Sequence, residues 1–159
     1  MPDAVVLDTD IDSRLPEPEL TVWAQAWLAA NRRLFVTAPT VIERRYGYQT
    51  HFRDWERHWS TYSELHEEGT IGVLPLGFQA AEIAGHLRAV CPHPPRGRPR
   101  GRKSKAQHRV SWILDILIAA TAASHAVPLF TSNGADHQHL GRNMPAPYRL
   151  ELIVYPVLP

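Results

Sequence analysis

The sequence contains a single cysteine and no long hydrophobic run, which argues against a disulfide-bonded protein and against a membrane-spanning one. Cys91 alone cannot form an internal disulfide, which fits a reducing compartment. The longest apolar run extends only from Ile116 to Ala123, far short of the roughly 20 residues that a membrane span needs. The N-terminal segment also lacks the basic start and long apolar core of a secretion signal. We therefore expect a cytoplasmic protein with no membrane partner.

The overall composition is that of an ordinary globular domain. The chain has 159 residues, of which 44% are hydrophobic and 21% are charged. These proportions lie near the globular average, so the composition does not favour disorder. The length suffices for one compact domain but not for two of ordinary size. We therefore expect a single domain over residues 1–159.

Charge is distributed unevenly although the net charge is only +1. Residues 96–109 contain seven cations and no acid, and the rest of the chain has 10 basic residues against 16 acidic ones. The surrounding segment, at about 92–108, is rich in proline, glycine and arginine, and its proline spacing prevents a regular helix. We expect a basic surface loop there, which can attract a polyanion.

Short apolar runs alternate with segments of helical periodicity along the chain. The expected strands are Val5–Leu7, Leu34–Val36, Ile71–Leu74, Pro128–Thr131 and Leu150–Tyr155. The expected helices are Glu19–Asn31, Pro39–Tyr46, His51–His66, Phe78–Val90 and Arg109–His125. This alternation predicts an α/β fold with a parallel sheet. Four tryptophans at helical spacing are expected to be core or interface anchors: Trp23, Trp27, Trp55 and Trp59.

Four acids occupy positions at which an α/β sheet collects its ligands. Asp8 ends the first strand, Glu43 lies in the second helix, Asp115 precedes an apolar alanine-rich run, and Asp136 follows the fourth strand. Taken singly, Asp8 can begin a turn, Glu43 can be solvated, and Asp136 can be an Asx-turn or N-cap residue. Asp115 is harder to explain in this way, because an acid among apolar neighbours is costly without a partner or metal.

The order of these motifs resembles that of the PIN-domain ribonuclease toxins of the VapC family. The resemblance covers roughly residues 4–155. It is carried by Val-Val-Leu-Asp-Thr-Asp at Asp8, by Glu43 before Tyr46-Gly47, by Asp-x-x-Ile-Ala-Ala-Thr-Ala at Asp115, and by the run from Thr131 to Asp136. It implies a three-layer α/β/α domain with a mostly parallel central sheet. It also implies an Mg²⁺- or Mn²⁺-dependent endoribonuclease, the toxin of a type II toxin–antitoxin pair. The implied partners are an RNA substrate, a small antitoxin that blocks the acidic pocket, and a second copy in a homodimer.

The resemblance also implies roles for the four acids as catalytic and metal-binding residues. Asp8 and Asp115 would ligate the metal most directly, and Glu43 and Asp136 would complete the pocket, partly through metal-bound water. Hard divalent cations prefer such carboxylate and water oxygens. A pair of metals, where present, clamps the attacking and leaving oxygens of a phosphodiester.

Supporting roles follow from the same resemblance. Thr9 would hydrogen-bond a metal-bound water or a phosphate oxygen, and Asn133 would hold the turn that presents Asp136. Cations of the basic loop are candidates for contact with the RNA backbone, and a loop that is merely solvated remains the alternative. These candidates are Arg98, Arg100, Arg102 and Lys103.

The chain departs from the family pattern at several places. Asp10 stands where asparagine is usual, and His137 where an aromatic residue follows the last acid. The bulky run of residues 112–114 before Asp115 is expected to narrow access to the site. Zinc is not favoured, because the histidines lack a suitable spacing and Cys91 has no matching cysteine. We expect solvated surface histidines at His125, His137 and His139.

Two other functions are compatible with the same residues. One is a non-cleaving PIN-like module that holds RNA or a partner protein. The other is a metal-dependent DNA nuclease. Cleavage that requires metal and is lost on Asp115→Asn separates the nucleases from the binding module, and a substrate panel separates RNA from DNA.

Overall fold

The computed structural model describes residues 2–95 and 105–156 of the chain. Within them, five parallel strands form one sheet in the order β3-β2-β1-β4-β5. The strands are β1 (Ala4–Leu7), β2 (Arg33–Thr37), β3 (Ile71–Leu74), β4 (Leu129–Thr131) and β5 (Leu152–Val154). The helices are α1 (Thr9–Arg14), α2 (Pro18–Ala29), α3 (Ala38–His51), α4 (Trp55–Glu67), α5 (Phe78–Val90), α6 (Lys105–Ser124) and α7 (Gly134–Arg142).

The sheet is buried on both faces, which confirms the predicted three-layer α/β/α class. Successive side chains of β1 point to opposite faces. Val5 packs with Trp23 and Trp27 of α2, whereas Val6 packs with Ile118 of α6. The expectation of a core role is therefore confirmed for these two tryptophans. No helix in the described ranges is long and apolar enough to cross a bilayer.

Most predicted elements are present, and the boundaries differ where a signal was weak. β3 and α5 have the predicted bounds. The third predicted helix begins at Trp55 instead of His51, because α3 continues through His51. The described part of α6 extends back to Lys105, four residues before the predicted start at Arg109, because residues 105–108 contain neither proline nor glycine. Residues 105–108 of the predicted basic loop therefore belong to α6, and residues 96–104 lie outside the described residues.

Two short helices were not predicted. Helix α1 has only six residues, and its N-cap Asp8 accepts a hydrogen bond from the Thr9 amide at 2.8 Å. Its first turn contains Asp10 and Asp12, and negative side chains at this position interact favourably with the positive end of the helix dipole. Helix α7 follows β4. Both helices begin where a central strand ends, so they determine the geometry of the functional site.

Candidate active site

A polar cleft of about 440 Å³ lies where β1 and β4 end. The strand order reverses between these two neighbouring strands, which is where open α/β sheets bind ligands. All the lining residues are polar, and four of them are acidic. They are Asp8, Thr9, Asp10, Ser13, Glu43, Ser111, Asp115, Ser132 and Asn133. The cleft therefore presents mostly oxygen atoms.

Asp8 is buried, and described residues donate three hydrogen bonds to it. Its Oδ1 accepts from the Thr9 amide at 2.8 Å. Its Oδ2 accepts from Thr131 Oγ1 at 2.6 Å and from His137 Nε2 at 2.9 Å. Burial alone would raise the pKa of Asp8, but the hydrogen bond and charge of His137, with the other donors, outweigh burial and lower the pKa. Asp8 is thus held as a carboxylate.

His137 is completely buried in α7, so the expectation of a solvated surface residue is wrong at this position. Burial tends to lower its pKa, but the hydrogen bond to Asp8 and the charge of that carboxylate raise it. The signal for its burial lay in the spacing Gly134, His137 and Leu140, which places three buried residues on one face of α7. That face was not recognised because α7 was not predicted. Of the other two histidines that were expected to be solvated, His125 is exposed and His139 is half-buried.

Asp10, which stands where the family usually has asparagine, connects the ends of β1 and β4. Its Oδ2 accepts from the Ser132 amide at 3.0 Å and from the Ser132 hydroxyl. Burial raises the pKa of Asp10, and the nearby charge of Asp8 raises it further, against the hydrogen bonds of Ser132. Asp10 therefore adds a fourth carboxylate to the cleft and ties α1 to the turn after β4.

The structure brings three of the four predicted acids to the cleft. Asp8 comes from the end of β1, Glu43 from α3 and Asp115 from α6. Asp136 does not line the cleft. It is buried in the first turn of α7 and accepts a hydrogen bond from Asn133 Nδ2 at 2.9 Å. Asp136 thus lies behind Asn133, which itself reaches the cleft.

The bulky residues before Asp115 do not enter the cleft lining. Trp112 is buried, and its indole nitrogen donates to the Cys91 carbonyl at 2.8 Å, on the side of α6 that packs against α5. Helix α6 presents Ser111 and Asp115 to the cleft instead. The expected narrowing is therefore not seen. The candidate RNA contacts Arg98, Arg100, Arg102 and Lys103 lie outside the described residues.

A buried ion pair connects α1 and α3, two helices that both contribute side chains to the cleft. Arg44 of α3, next to Glu43, places Nε 3.0 Å from Oδ2 of Asp12 in α1. Only 1% of the Asp12 side chain is exposed, against 18% of the Arg44 side chain. Burial raises the pKa of Asp12 to about 6, and the charge of Arg44 offsets only part of that rise. Sequence reasoning missed this pair, because neither residue belongs to a recognised motif.

The donor chemistry of the cleft fits Mg²⁺ or Mn²⁺, although the acids do not form a tight cage. Within residues 2–95 and 105–156, no group of three or more His, Cys, Asp or Glu side chains is arranged to hold a metal ion. Mg²⁺ usually binds through one or two carboxylates and keeps several waters, so it needs no such cage. The hydroxyl oxygen of Thr9 is buried beside Asp8 and meets no hydrogen-bond partner among the described residues. This hydroxyl therefore has capacity for a further hydrogen bond at the cleft.

Comparisons with known proteins agree with this fold. The family model described as PIN domain matches residues 5–143. The fold is similar to that of VapBC2 from Rickettsia felis bound to a promoter DNA fragment, with a TM-score of 0.67, 18% identity and coverage of 96% of this chain and 98% of that one. For VapBC-1 from nontypeable Haemophilus influenzae, the TM-score is 0.66 and the identity 21%, with coverage of 95% of this chain and 97% of that one. For VapBC-5 from Mycobacterium tuberculosis, a member of the VapBC family of toxin-antitoxin systems, the TM-score is 0.55 and the identity 25%, with coverage of 96% of this chain and 99% of that one. A search of curated proteins finds no match.

Proposed function

Because this chain belongs to the PIN domain family, we propose that it is an Mg²⁺- or Mn²⁺-dependent endoribonuclease and the toxin of a type II toxin–antitoxin pair. The observation that carries the proposal is the convergence of Asp8, Glu43 and Asp115 from three separate elements on one cleft. These residues are far apart in the sequence, and nothing in the fold requires three acids at this edge of the sheet. Their mutual repulsion, which would be on the order of 4 kcal/mol for a pair at ~4 Å and an effective dielectric near 20, is relieved by a bound cation.

Each cleft residue has a definite task in this proposal. Asp8 and Asp115 would hold the ion, and Glu43 would complete the site through water. The bound metal would supply an activated water and neutralise charge on the leaving oxygen. The hydroxyl groups of Thr9, Ser13 and Ser111 line the same cleft and are suited to orient phosphate oxygens.

Asp136 would act from behind the cleft. Its hydrogen bond with Asn133 fixes the turn between β4 and α7. That turn carries Ser132, which donates to Asp10, and it directly follows Thr131 of β4, which donates to Asp8. Asp136 would therefore contribute by holding the carboxylates of the cleft in place.

The proposed antitoxin partner is supported by the names of solved structures that share this fold. VapBC-5 is described as a member of the VapBC family of toxin-antitoxin systems, and VapBC-1 carries the same family name. We accordingly propose that a small antitoxin binds this chain and covers the acidic cleft. We also propose a homodimer, which the resemblance to the VapC toxins implies.

The direct test is cleavage of single-stranded RNA and DNA by the purified protein, with Mn²⁺ or with EDTA. We expect metal-dependent cleavage of RNA, and strong loss of activity on Asp115→Asn. Asp54→Asn is the matched control, because Asp54 is an exposed acid outside the cleft. Equal RNA cleavage by wild type and Asp115→Asn would refute the active-site assignment. RNA binding without any cleavage would instead support a non-cleaving module.

A further inference from the structure

The two oxygens of Asp8 have unequal capacity to accept a further ligand. A carboxylate oxygen has two lone-pair sites. Both sites on Oδ2 are used, by Thr131 Oγ1 at 2.6 Å and by His137 Nε2 at 2.9 Å. Among the residues that the structure describes, Oδ1 accepts one hydrogen bond, from the Thr9 amide at 2.8 Å. With respect to these residues, one lone-pair site remains, and it is on Oδ1.

We propose that His137 is a positioning residue for the metal: by occupying Oδ2 together with Thr131, it makes Asp8 a one-oxygen ligand through Oδ1. The inference rests on the proposed function, since it assumes that Asp8 holds the ion. His137 itself does not line the cleft, so it acts through Asp8 and does not touch the substrate.

The position of His137 is firmly determined by its surroundings. Its ring is completely buried, in a helix that packs against α6 and β5. The first turn of α7 lies close to β5 at Gly134, where an added Cβ would be 2.9 Å from Val154 Cγ1. Helix α7 therefore fits in this place because residue 134 has no side chain. A fixed helix holds the imidazole at a constant distance from Asp8.

A donor at this distance matters for metal binding in a way that packing alone does not. Groups that hydrogen-bond a metal ligand orient it, and their loss typically weakens metal affinity or activity by about 10- to 100-fold. If His137 only filled space, a residue of similar shape without a donor would preserve affinity. The donor and the shape can therefore be separated by substitution.

The test uses three variants of the full chain. His137→Phe keeps a ring but removes the donor, and His137→Gln keeps an N–H donor at about the position of Nε2. The control is His139→Gln in the same helix, where the ring lies 6.3 Å from that of Trp112. Mn²⁺ affinity is measured by electron paramagnetic resonance of free Mn²⁺ at pH 7.5, well below the melting temperature of each protein. We expect His137→Phe to bind Mn²⁺ about 10- to 100-fold more weakly than wild type, with His137→Gln and His139→Gln near the wild-type value.

The outcomes separate this inference from the proposed function. Absence of Mn²⁺ binding by the wild type contradicts the proposed metal site itself. Tight binding by the wild type and equal binding by His137→Phe overturns the positioning role and leaves the proposed function standing. Loss of affinity in His137→Gln as large as in His137→Phe also overturns it, because the donor would then not be what matters.

One measurement does not depend on how the variants fold. In the wild-type protein, a long-range ¹H–¹⁵N spectrum of the His137 ring at pH 7.5 should show a proton on Nε2. A bare Nε2 in that spectrum overturns the inference, because His137 would then have no proton to donate to Asp8.

Discussion

The ion pair between Asp12 and Arg44 leads to an unusual expectation: replacing the buried acid by its neutral isostere should stabilise the protein at neutral pH. The pKa of Asp12 is raised from 3.8 to about 6. A raised pKa means that protonation is easier in the folded chain than in the unfolded chain. The stabilising contribution of the protonated form is therefore complete below pH 4 and is lost as the pH rises through 6. At pH 7, ionised Asp12 costs about 3 kcal/mol relative to its neutral form.

Asp12→Asn imitates the neutral form at every pH. We expect it to raise the free energy of unfolding at pH 7 by up to about 3 kcal/mol, which is roughly 6–12 °C in melting temperature for a domain of this size. Breaking a fully buried ion pair usually destabilises a protein, since one charge is left without a partner. That penalty is smaller here because the Arg44 guanidinium, although its Nε is buried, also donates from Nη2 to the Tyr48 hydroxyl, and 18% of the side chain is exposed.

The assay is urea unfolding of wild type and Asp12→Asn between pH 4 and pH 7.5. The difference in the free energy of unfolding between the two proteins should be small at pH 4 and should grow through pH 6. Because the other titrating groups are present in both proteins, this pH-dependent difference reports on Asp12. Glu17→Gln is the matched control, since it breaks the exposed pair of Glu17 with Arg14 and should give a small difference at all pH values. An Asp12→Asn protein that is markedly less stable than wild type at pH 7 would refute the reasoning.

Four further expectations follow from the proposed function. Asp8→Asn, Glu43→Gln, Asp115→Asn and Asp136→Asn should each reduce RNA cleavage without unfolding the protein, as checked by a cleavage assay beside circular dichroism. Asp12→Asn should also lose activity despite its greater stability, because α1 and α3 are no longer tied beside Glu43; kcat measured at pH 7 checks this. Neutralising the loop cations should weaken the salt dependence of RNA binding. In a plot of log affinity against log salt concentration, the slope should fall by roughly 0.7 for each lost phosphate contact. The residues to neutralise are Arg98, Arg100, Arg102 and Lys103. An unchanged slope would mean that the basic loop does not touch RNA. A homodimer should appear in analytical ultracentrifugation as twice the 18.0 kDa chain mass.

The sequence predicted the elements that have a strong apolar pattern. The bounds of β3 and α5 were correct because Pro75 and Gly77 separate two clear apolar segments. Trp23 and Trp27 were correctly placed in the core because their spacing is helical. Periodicity of this kind indicates which side chains are buried, so these predictions need no knowledge of the tertiary fold.

The parts that were missed depend on contacts between distant segments. Helix α1 is too short for periodicity to reveal, and its recognisable signal is only the acids of its first turn. The hydrogen bonds that join Asp10 to Ser132 span 122 positions, and that between His137 and Asp8 spans 129. The spacing of Gly134, His137 and Leu140 indicates that His137 is buried only once α7 is recognised as a helix, and the carboxylate that accepts its hydrogen bond is found only in the fold.

The central claim is that the acids of one cleft form a metal site, and a thermal melt of wild type and Asp115→Asn, each in EDTA and in Mn²⁺, tests it most directly. Without metal, the cleft carboxylates repel one another in the fold, so Asp115→Asn should melt higher than wild type in EDTA. Metal at ten times its dissociation constant should stabilise the wild type by about 1.4 kcal/mol, or roughly 3–6 °C. The variant should lose most of that gain. Equal stabilisation of both proteins by Mn²⁺ would contradict the account, because the ion would then bind elsewhere.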